Sequence, residues 1–150
     1  MAVLQSTFGE SYDKGYAGME ADGELSNIVT RSLEGATACA FGRPVYKGTN
    51  DRGCDLVVAA GELVGFAIAD KGLPVTSVRA ADTFAPLDNI GVKERGKIWV
   101  ASTTAANKDQ IVYVTAAGAI TNVLTANVEA TGWKFDDTIA AAGLVRIVRR

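Results

Sequence analysis

Histidine is absent from this chain of 150 residues. Its absence removes the side chain most often used as a general base at neutral pH. Ser-His-Asp and Cys-His catalytic sets are therefore excluded, as are zinc sites that combine Cys with His. Cys39 and Cys54 are the only cysteines, too few to hold a metal unaided. A disulfide between them is one interpretation; two reduced, half-buried thiols in a protein made in a reducing cytosol is the one we favour.

Long apolar runs, aromatic residues and an excess of basic charge are also scarce. No stretch of about 18 uninterrupted apolar residues occurs, so we expect no membrane span. Aromatic residues make up 7% of the chain and its net charge is −2. Without a basic stripe carrying interleaved aromatics, nucleic-acid binding has little electrostatic support. The first six residues lack the basic and apolar regions of a secretory signal, so we expect none.

The composition that remains is typical of a single all-β domain. Ala and Val dominate a hydrophobic content of 48%, and 16 glycines are available for turns. Residues 1–26 form a leader without periodicity, and one lysine against five acidic residues gives this leader a charge of −4. We expect 1–26 to be an extended N-terminal arm and 27–150 to be the β body, with a charge of +2.

Short β-type segments separated by turn residues fill the body. The predicted strands cover 27–31, 44–47, 55–58, 63–70, 90–93, 97–101, 110–115, 119–123, 133–135 and 144–148. Two hairpins are predicted, one turning at Glu94-Arg95-Gly96 and one at Ala116-Ala117-Gly118. Two weak helix candidates, 33–40 and 136–142, are too short to stand alone. This pattern predicts a β-sandwich, a jelly-roll-like fold or a closed barrel.

Alternation along these strands also predicts the core. The residues expected to face inward are Phe66, Ile68, Ile98, Val100, Val112, Val114, Val145 and Ile147.

Two sequence features give alternative functional interpretations. Residues 13–18 are similar to the Asp-x-Gly-Tyr-x-Gly element of dUTP pyrophosphatases, in which the Asp activates water, but the partner motifs of that family are missing. Trp99, Tyr113 and Trp133 are compatible with a carbohydrate-binding sandwich, although each lies in a segment suited to core or interface packing. The adjacent carboxylates Asp136 and Asp137 are expected to cap a turn rather than act as an acid and base pair.

Several motifs in a fixed order resemble the structural cement proteins that decorate the heads of tailed phages. After the leader, with its glycines and tyrosines, come Phe41-Gly42-Arg43-Pro44-Val45 with the turn at Gly48-Thr49, Val64-Gly65-Phe66-Ala67-Ile68-Ala69-Asp70, Gly96-Lys97-Ile98-Trp99-Val100, Val112-Tyr113-Val114-Thr115-Ala116-Ala117-Gly118, Phe135-Asp136-Asp137-Thr138 and Gly143-Leu144-Val145-Arg146-Ile147. The stretch 103–108 departs from this pattern, which puts the loop there in question.

This resemblance implies a protein without catalysis or cofactors that sits on the outside of the capsid in the virion, after synthesis in the bacterial host cytoplasm. Its expected partners are the major capsid protein, whose subunits it would bridge, and copies of itself, with a dimer favoured over a trimer. No nucleic acid, membrane or small-molecule substrate is expected. The expected protein contacts are Tyr12, Tyr16, Met19, Arg149 and Arg150. Another phage structural module, at the head–tail joint or on the tail surface, is the alternative.

Overall fold

The computed structural model describes residues 15–58 and 62–150, and within them all regular structure is β. The strands are β1 (Asn27–Leu33), β2 (Cys39–Ala40), β3 (Pro44–Lys47), β4 (Gly53–Asp55), β5 (Leu63–Ala67), β6 (Thr83–Phe84), β7 (Asn89–Ser102), β8 (Ile111–Val114), β9 (Ile120–Thr121), β10 (Val128–Phe135) and β11 (Gly143–Arg149). No helix long and apolar enough to cross a membrane is found in these residues.

The strand pairings close two rings that share β7. The first ring runs β1-β4-β3-β5-β7 and returns to β1, and the second runs β7-β11-β10-β8-β9 and returns to β7. β2 and β6 pair separately as a two-stranded sheet. Closure leaves few unpaired strand edges, which are the usual sites of unwanted association. The structure therefore confirms the all-β prediction, and its sheet is barrel-like.

The hairpin predicted at Glu94-Arg95-Gly96 is wrong, because β7 continues through this segment as one strand. Gly96 does adopt the positive φ expected of it, 104°, but it marks the point where β7 leaves one ring and enters the other. A β-bulge lies beside it, since Asn27 pairs with Arg95 while Ile28 pairs with Lys93. A bulge and a positive-φ glycine bend a strand without reversing it.

Other boundaries also need correction: β10 begins at Val128 rather than at 133, β5 ends at Ala67 rather than at 70, and the helix candidates 33–40 and 136–142 are not helices. The hairpin turning at 116–118 forms as predicted, with Val114 opposite Ile120. The strand predicted at 55–58 is wrong: β4 ends at Asp55, whose carboxylate accepts the backbone N–H of Leu56 at 2.6 Å. That side-chain hydrogen bond competes with continued pairing of the strand.

The buried apolar side chains form two clusters, and the larger one contains side chains of both rings, including Tyr46 and Phe66 of the first. Seven of the eight residues predicted to face inward are fully buried in the larger cluster, and Ile68 packs against it half-buried. Phe66 of the first ring meets Trp133 of the second edge-on, with ring centroids 4.8 Å apart. This contact lies within the larger cluster, where it links side chains of the two rings and stabilises them beyond simple burial.

Both cysteines are free thiols in the smaller cluster. Burial raises the pKa of Cys39 to about 12 and that of Cys54 to about 11. Protonated, buried thiols are poor nucleophiles and metal ligands, so these residues serve as small core side chains.

Candidate functional site

The second half of the leader lies along β7 rather than apart from the body. Gly18 N–H donates to the Trp99 carbonyl at 2.8 Å, and Trp99 N–H donates to the Met19 carbonyl at 2.9 Å. Ala21 N–H adds a third bond, to Lys97, at 3.3 Å. Gly18 has a φ of 83°, and a Cβ there would lie 2.7 Å from the backbone nitrogen of Ala69. Only glycine fits this close approach.

Charged pairs fix this leader segment to the body. The ammonium group of Lys93, only 1% exposed, is paired with the half-exposed carboxylate of Glu20. The ammonium group of Lys97 lies 3.0 Å from Asp22 and 3.3 Å from Asp136. The leader carboxylates from Glu20 onward therefore form ion pairs with basic side chains of the same chain.

The pKa values of Asp22 and Lys97 reflect their contact with each other. The backbone N–H of Glu24, together with the Lys97 ammonium, lowers the pKa of Asp22. The hydrogen bond to Asp22 in turn raises the pKa of Lys97. Both shifts favour the charged forms, so the seam between leader and body is an ionic contact at neutral pH.

Two of the predicted contact residues in the leader are partly exposed on this seam. Tyr16 is 41% exposed, and its ring lies 4.4 Å from the Lys71 ammonium, within cation–π range. Met19 is 38% exposed, and its sulfur lies close to Gly15. Tyr12 lies outside the described residues.

Of the two predicted arginines, Arg150 meets the other end of the leader segment and Arg149 contacts the body. Arg150 is exposed, and its guanidinium lies 3.0 Å from the Glu24 carboxylate. Arg149 is half-buried, donates to the Glu94 carbonyl at 3.4 Å and lies beside Gly132. Leader and C-terminus thus meet in space through the Arg150–Glu24 pair.

Residues 15–58 and 62–150 contain no cluster of acidic or cysteine side chains that would hold a metal ion. Asp136 and Asp137 do not work as a pair, because Asp136 faces Lys97 and Asp137 binds Arg146 at 2.7 Å. Trp133 is fully buried, which removes it from a carbohydrate platform. Asp13, which the pyrophosphatase interpretation requires, lies outside the described residues.

Sequence reasoning did not find a set of aliphatic side chains that the structure exposes on two loops. Val75, Val78 and Leu87 are 69%, 74% and 78% exposed on the connection between β5 and β7. Val123, Leu124 and Val128 are 44%, 66% and 46% exposed at the turn between β9 and β10. One signal was available: no charged residue occurs from Ile111 through Val128, or from Gly72 through Val78.

Comparison with known proteins identifies the class of this chain. Residues 4–150 match the family model described as structural cement protein (E217 gp24/Pam3 gp6). The chain belongs to this family of phage structural proteins.

A solved structure has the same fold. A chain in the structure titled "The capsid of Myoviridae Phage XM1" superposes with a TM-score of 0.70 at 17% identity, over 93% of this chain and 92% of that one. At this identity the likeness establishes the fold alone. No curated protein matches. Family and fold together indicate a structural role in a phage capsid.

Proposed function

We propose that this protein binds the outer surface of a phage head and bridges neighbouring major capsid protein subunits, acting as cement without catalysis. The observation that carries the proposal is the match of residues 4–150 to a family of structural cement proteins. The double ring supports it, because closed sheets with two packed cores resist deformation.

Cement acts by adding buried surface across boundaries where a thin shell is weakest. The outward pressure of packaged DNA loads those boundaries. Each contact needs to bury only on the order of 1,000 Å² or less, because many copies and two-sided engagement supply avidity. A body built around two packed apolar clusters meets this requirement.

We further propose that the protein acts as a homodimer, because a bridge across a two-fold axis of the shell is best made by a two-fold symmetric particle. Analytical ultracentrifugation of the purified protein tests this directly. A single species at the mass of a monomer or a trimer would contradict it.

Copy number in purified virions tests the main proposal. We expect on the order of hundreds of copies per particle, removed by treatments that leave the shell intact, and heat-sensitive shells once the protein is stripped. Adding the protein back should restore heat resistance. A single ring of copies per particle would favour a head–tail or tail component, and absence from particles would reject a structural role in the virion.

The absence of catalysis is tested separately through the pyrophosphatase-like segment. We expect purified protein not to hydrolyse dUTP, since a six-residue motif without partner residues cannot pre-organise a reaction centre. Turnover of dUTP that disappears in Asp13→Ala would overturn the cement assignment.

A further inference from the structure

The outer edge of β1 is unpaired over most of its length. β7 pairs with β1 along one side, but on the other side β4 reaches only its last two residues. Ser32 N–H donates to the Arg52 carbonyl at 2.9 Å, so the backbone groups of Ser32 face β4 rather than β7. Because these groups alternate in direction along a strand, those of Ile28 and Thr30 also point away from β7. Among the described residues they have no backbone partner.

The sequence of this edge suits the addition of a further strand. Ile28, Val29 and Thr30 are β-branched and uncharged, and Ile28 is 47% exposed. Proteins commonly protect an exposed edge with lysine or proline, and neither occurs in β1. Unpaired backbone groups beside β-branched side chains can accept an extended segment as a new strand.

A recess of about 850 Å³ lies beside this edge, lined by residues of β1, β3, β5 and β7. Its walls carry three acidic residues, among them Glu94, and four basic ones, Arg31, Lys47, Arg95 and Arg149. Within the part of the chain that the structure describes, none of these charged groups forms an ion pair. The recess therefore presents unneutralised charge of both signs. A surface of this kind can meet its own two-fold image, with basic groups against acidic ones.

Arg31 and Glu94 are the charged groups closest to the open edge. Arg31 donates to the Asp51 carbonyl at 2.8 Å, but its Nε is buried without an acceptor among the described residues. The Glu94 carboxylate accepts the side-chain amide of Asn27 at 2.6 Å. At about 3.3 Å per residue, Asn27 and Arg31 lie roughly 13 Å apart along β1. Arg31 and Glu94 therefore cannot neutralise each other within one chain.

We infer that β1 pairs antiparallel with β1 of a second copy, about a two-fold axis that passes at Val29. In this register Ile28 of each copy lies opposite Thr30 of the other, and the two residues exchange both of their backbone hydrogen bonds. Their side chains then form β-branched cross-strand pairs on one face of the new sheet. The inference rests on the proposed homodimer and names the surface that forms it.

The same register explains the unsatisfied arginine. Arg31 of each copy comes opposite Asn27 of the other, and Asn27 holds the Glu94 carboxylate. Each guanidinium thus meets a carboxylate across the axis, in a charge-assisted contact. A strand from another protein could satisfy the backbone edge, but a second β1 also supplies the carboxylate that Arg31 lacks.

Charge reversal in the full-length protein, followed by analytical ultracentrifugation, tests the ion pair. Arg31→Glu and Glu94→Arg each place like charges across the axis, and each should weaken self-association about 100-fold. The double variant restores opposite charges and should recover most of this loss. Lys134→Glu is the matched control, because Lys134 is exposed on β10 and lies outside the recess. The control should associate like the parent.

Amide hydrogen exchange tests the backbone pairing without any substitution. The amides of Ile28 and Thr30 should exchange slowly in the dimer and rapidly after dilution to the monomer. Val29 and Arg31 donate toward β7, so their amides should remain protected at every concentration and serve as the internal control.

Four results would overturn the inference while leaving the homodimer standing: dimers that survive both single reversals, no recovery in the double variant, equal loss in the control, or rapid exchange of Ile28 and Thr30 in the dimer. Loss of capsid binding by a variant that stays dimeric would also overturn it, and would assign this edge to a segment of the capsid protein. A monomeric parent protein would instead contradict the proposed homodimer itself.

Discussion

The buried ammonium group of Lys93 has its carboxylate partner in Glu20, 73 positions earlier in the chain. The pair joins the leader to the strand shared by both rings. Lys93 also reaches the Lys97 carbonyl at 3.4 Å, a weak contact that cannot neutralise its charge. The leader segment from Gly18 to Ala21 therefore contributes to the free energy of unfolding of the body.

Glu20→Ala should lower the free energy of unfolding by about 1–3 kcal/mol, because it leaves a buried cation without its partner. Denaturant unfolding measures this loss. The double variant Glu20→Ala with Lys93→Met should recover most of it, since an apolar side chain of similar length needs no partner. Glu24→Gln is the surface control: its partner Arg150 is exposed, and Lys97, which lies 3.7 Å from Glu24, keeps Asp22 and Asp136, so stability should change by less than about 0.5 kcal/mol. Equal losses in Glu20→Ala and Glu24→Gln would contradict the assignment.

Truncation separates the two halves of the leader. Removal of residues 1–14 keeps the hydrogen bonds to β7 and the Glu20–Lys93 pair, so we expect an unchanged melting temperature and reduced capsid occupancy. Removal of residues 1–26 eliminates both sets of contacts, so we expect a lower melting temperature as well. Full occupancy by the shorter truncation would show that residues 1–14 are not a contact arm.

Core truncation tests the strand register. Val112 and Ile111 are neighbours in β8, but Val112 is fully buried and Ile111 is 38% exposed. Val112→Ala should therefore lower the free energy of unfolding by about 1–3 kcal/mol, and Ile111→Ala should cost clearly less. Ile98→Ala, at a fully buried position of β7, should cost about 2–4 kcal/mol. The reverse order for the β8 pair would place the register off by one residue.

Stability at low pH should depend on Asp137. The Arg146 guanidinium holds the pKa of this carboxyl below its ordinary value of 3.8. A lowered pKa in the folded state means that the contribution to stability is present above about pH 4 and is lost as the pH falls further. Asp137→Asn should reduce stability at pH 7 and make a smaller difference near pH 2, as followed by denaturant unfolding at both values. Arg146→Gln should produce the same pH dependence, and a constant deficit in both variants would contradict this mechanism.

Leu87 offers a test of backbone strain. Its φ is 69°, a left-handed value that asparagine tolerates better than leucine, and its side chain is exposed. Leu87→Asn should therefore raise the free energy of unfolding by about 0.5–1 kcal/mol, as measured by denaturant unfolding. An unchanged or lower stability would show that asparagine does not relieve the strain.

Much of the fold was predictable because alternation along strands is a local property. Val112, Val114, Val145 and Ile147 follow the period of two expected of strands with one buried face, and all four are buried. Gly96 shows where this reasoning fails. A glycine after two charged residues is the sequence of a hairpin turn and equally that of a bulge, and the choice depended on pairing with the distant strands β1 and β11. The ion pair of Glu20 with Lys93 could not be predicted for the same reason, because the two residues are 73 positions apart in the sequence.

The strand shared by the two rings also determines how the molecule responds to force. Tension applied between the two ends of β7 runs parallel to that strand, whereas its backbone hydrogen bonds to β1, β5 and β11 lie across it. The covalent backbone of β7 then carries the load directly, and none of these hydrogen bonds has to open. Pulling across the strands would open the same bonds one after another. The protein should therefore be mechanically strongest along the line that joins the two ends of β7.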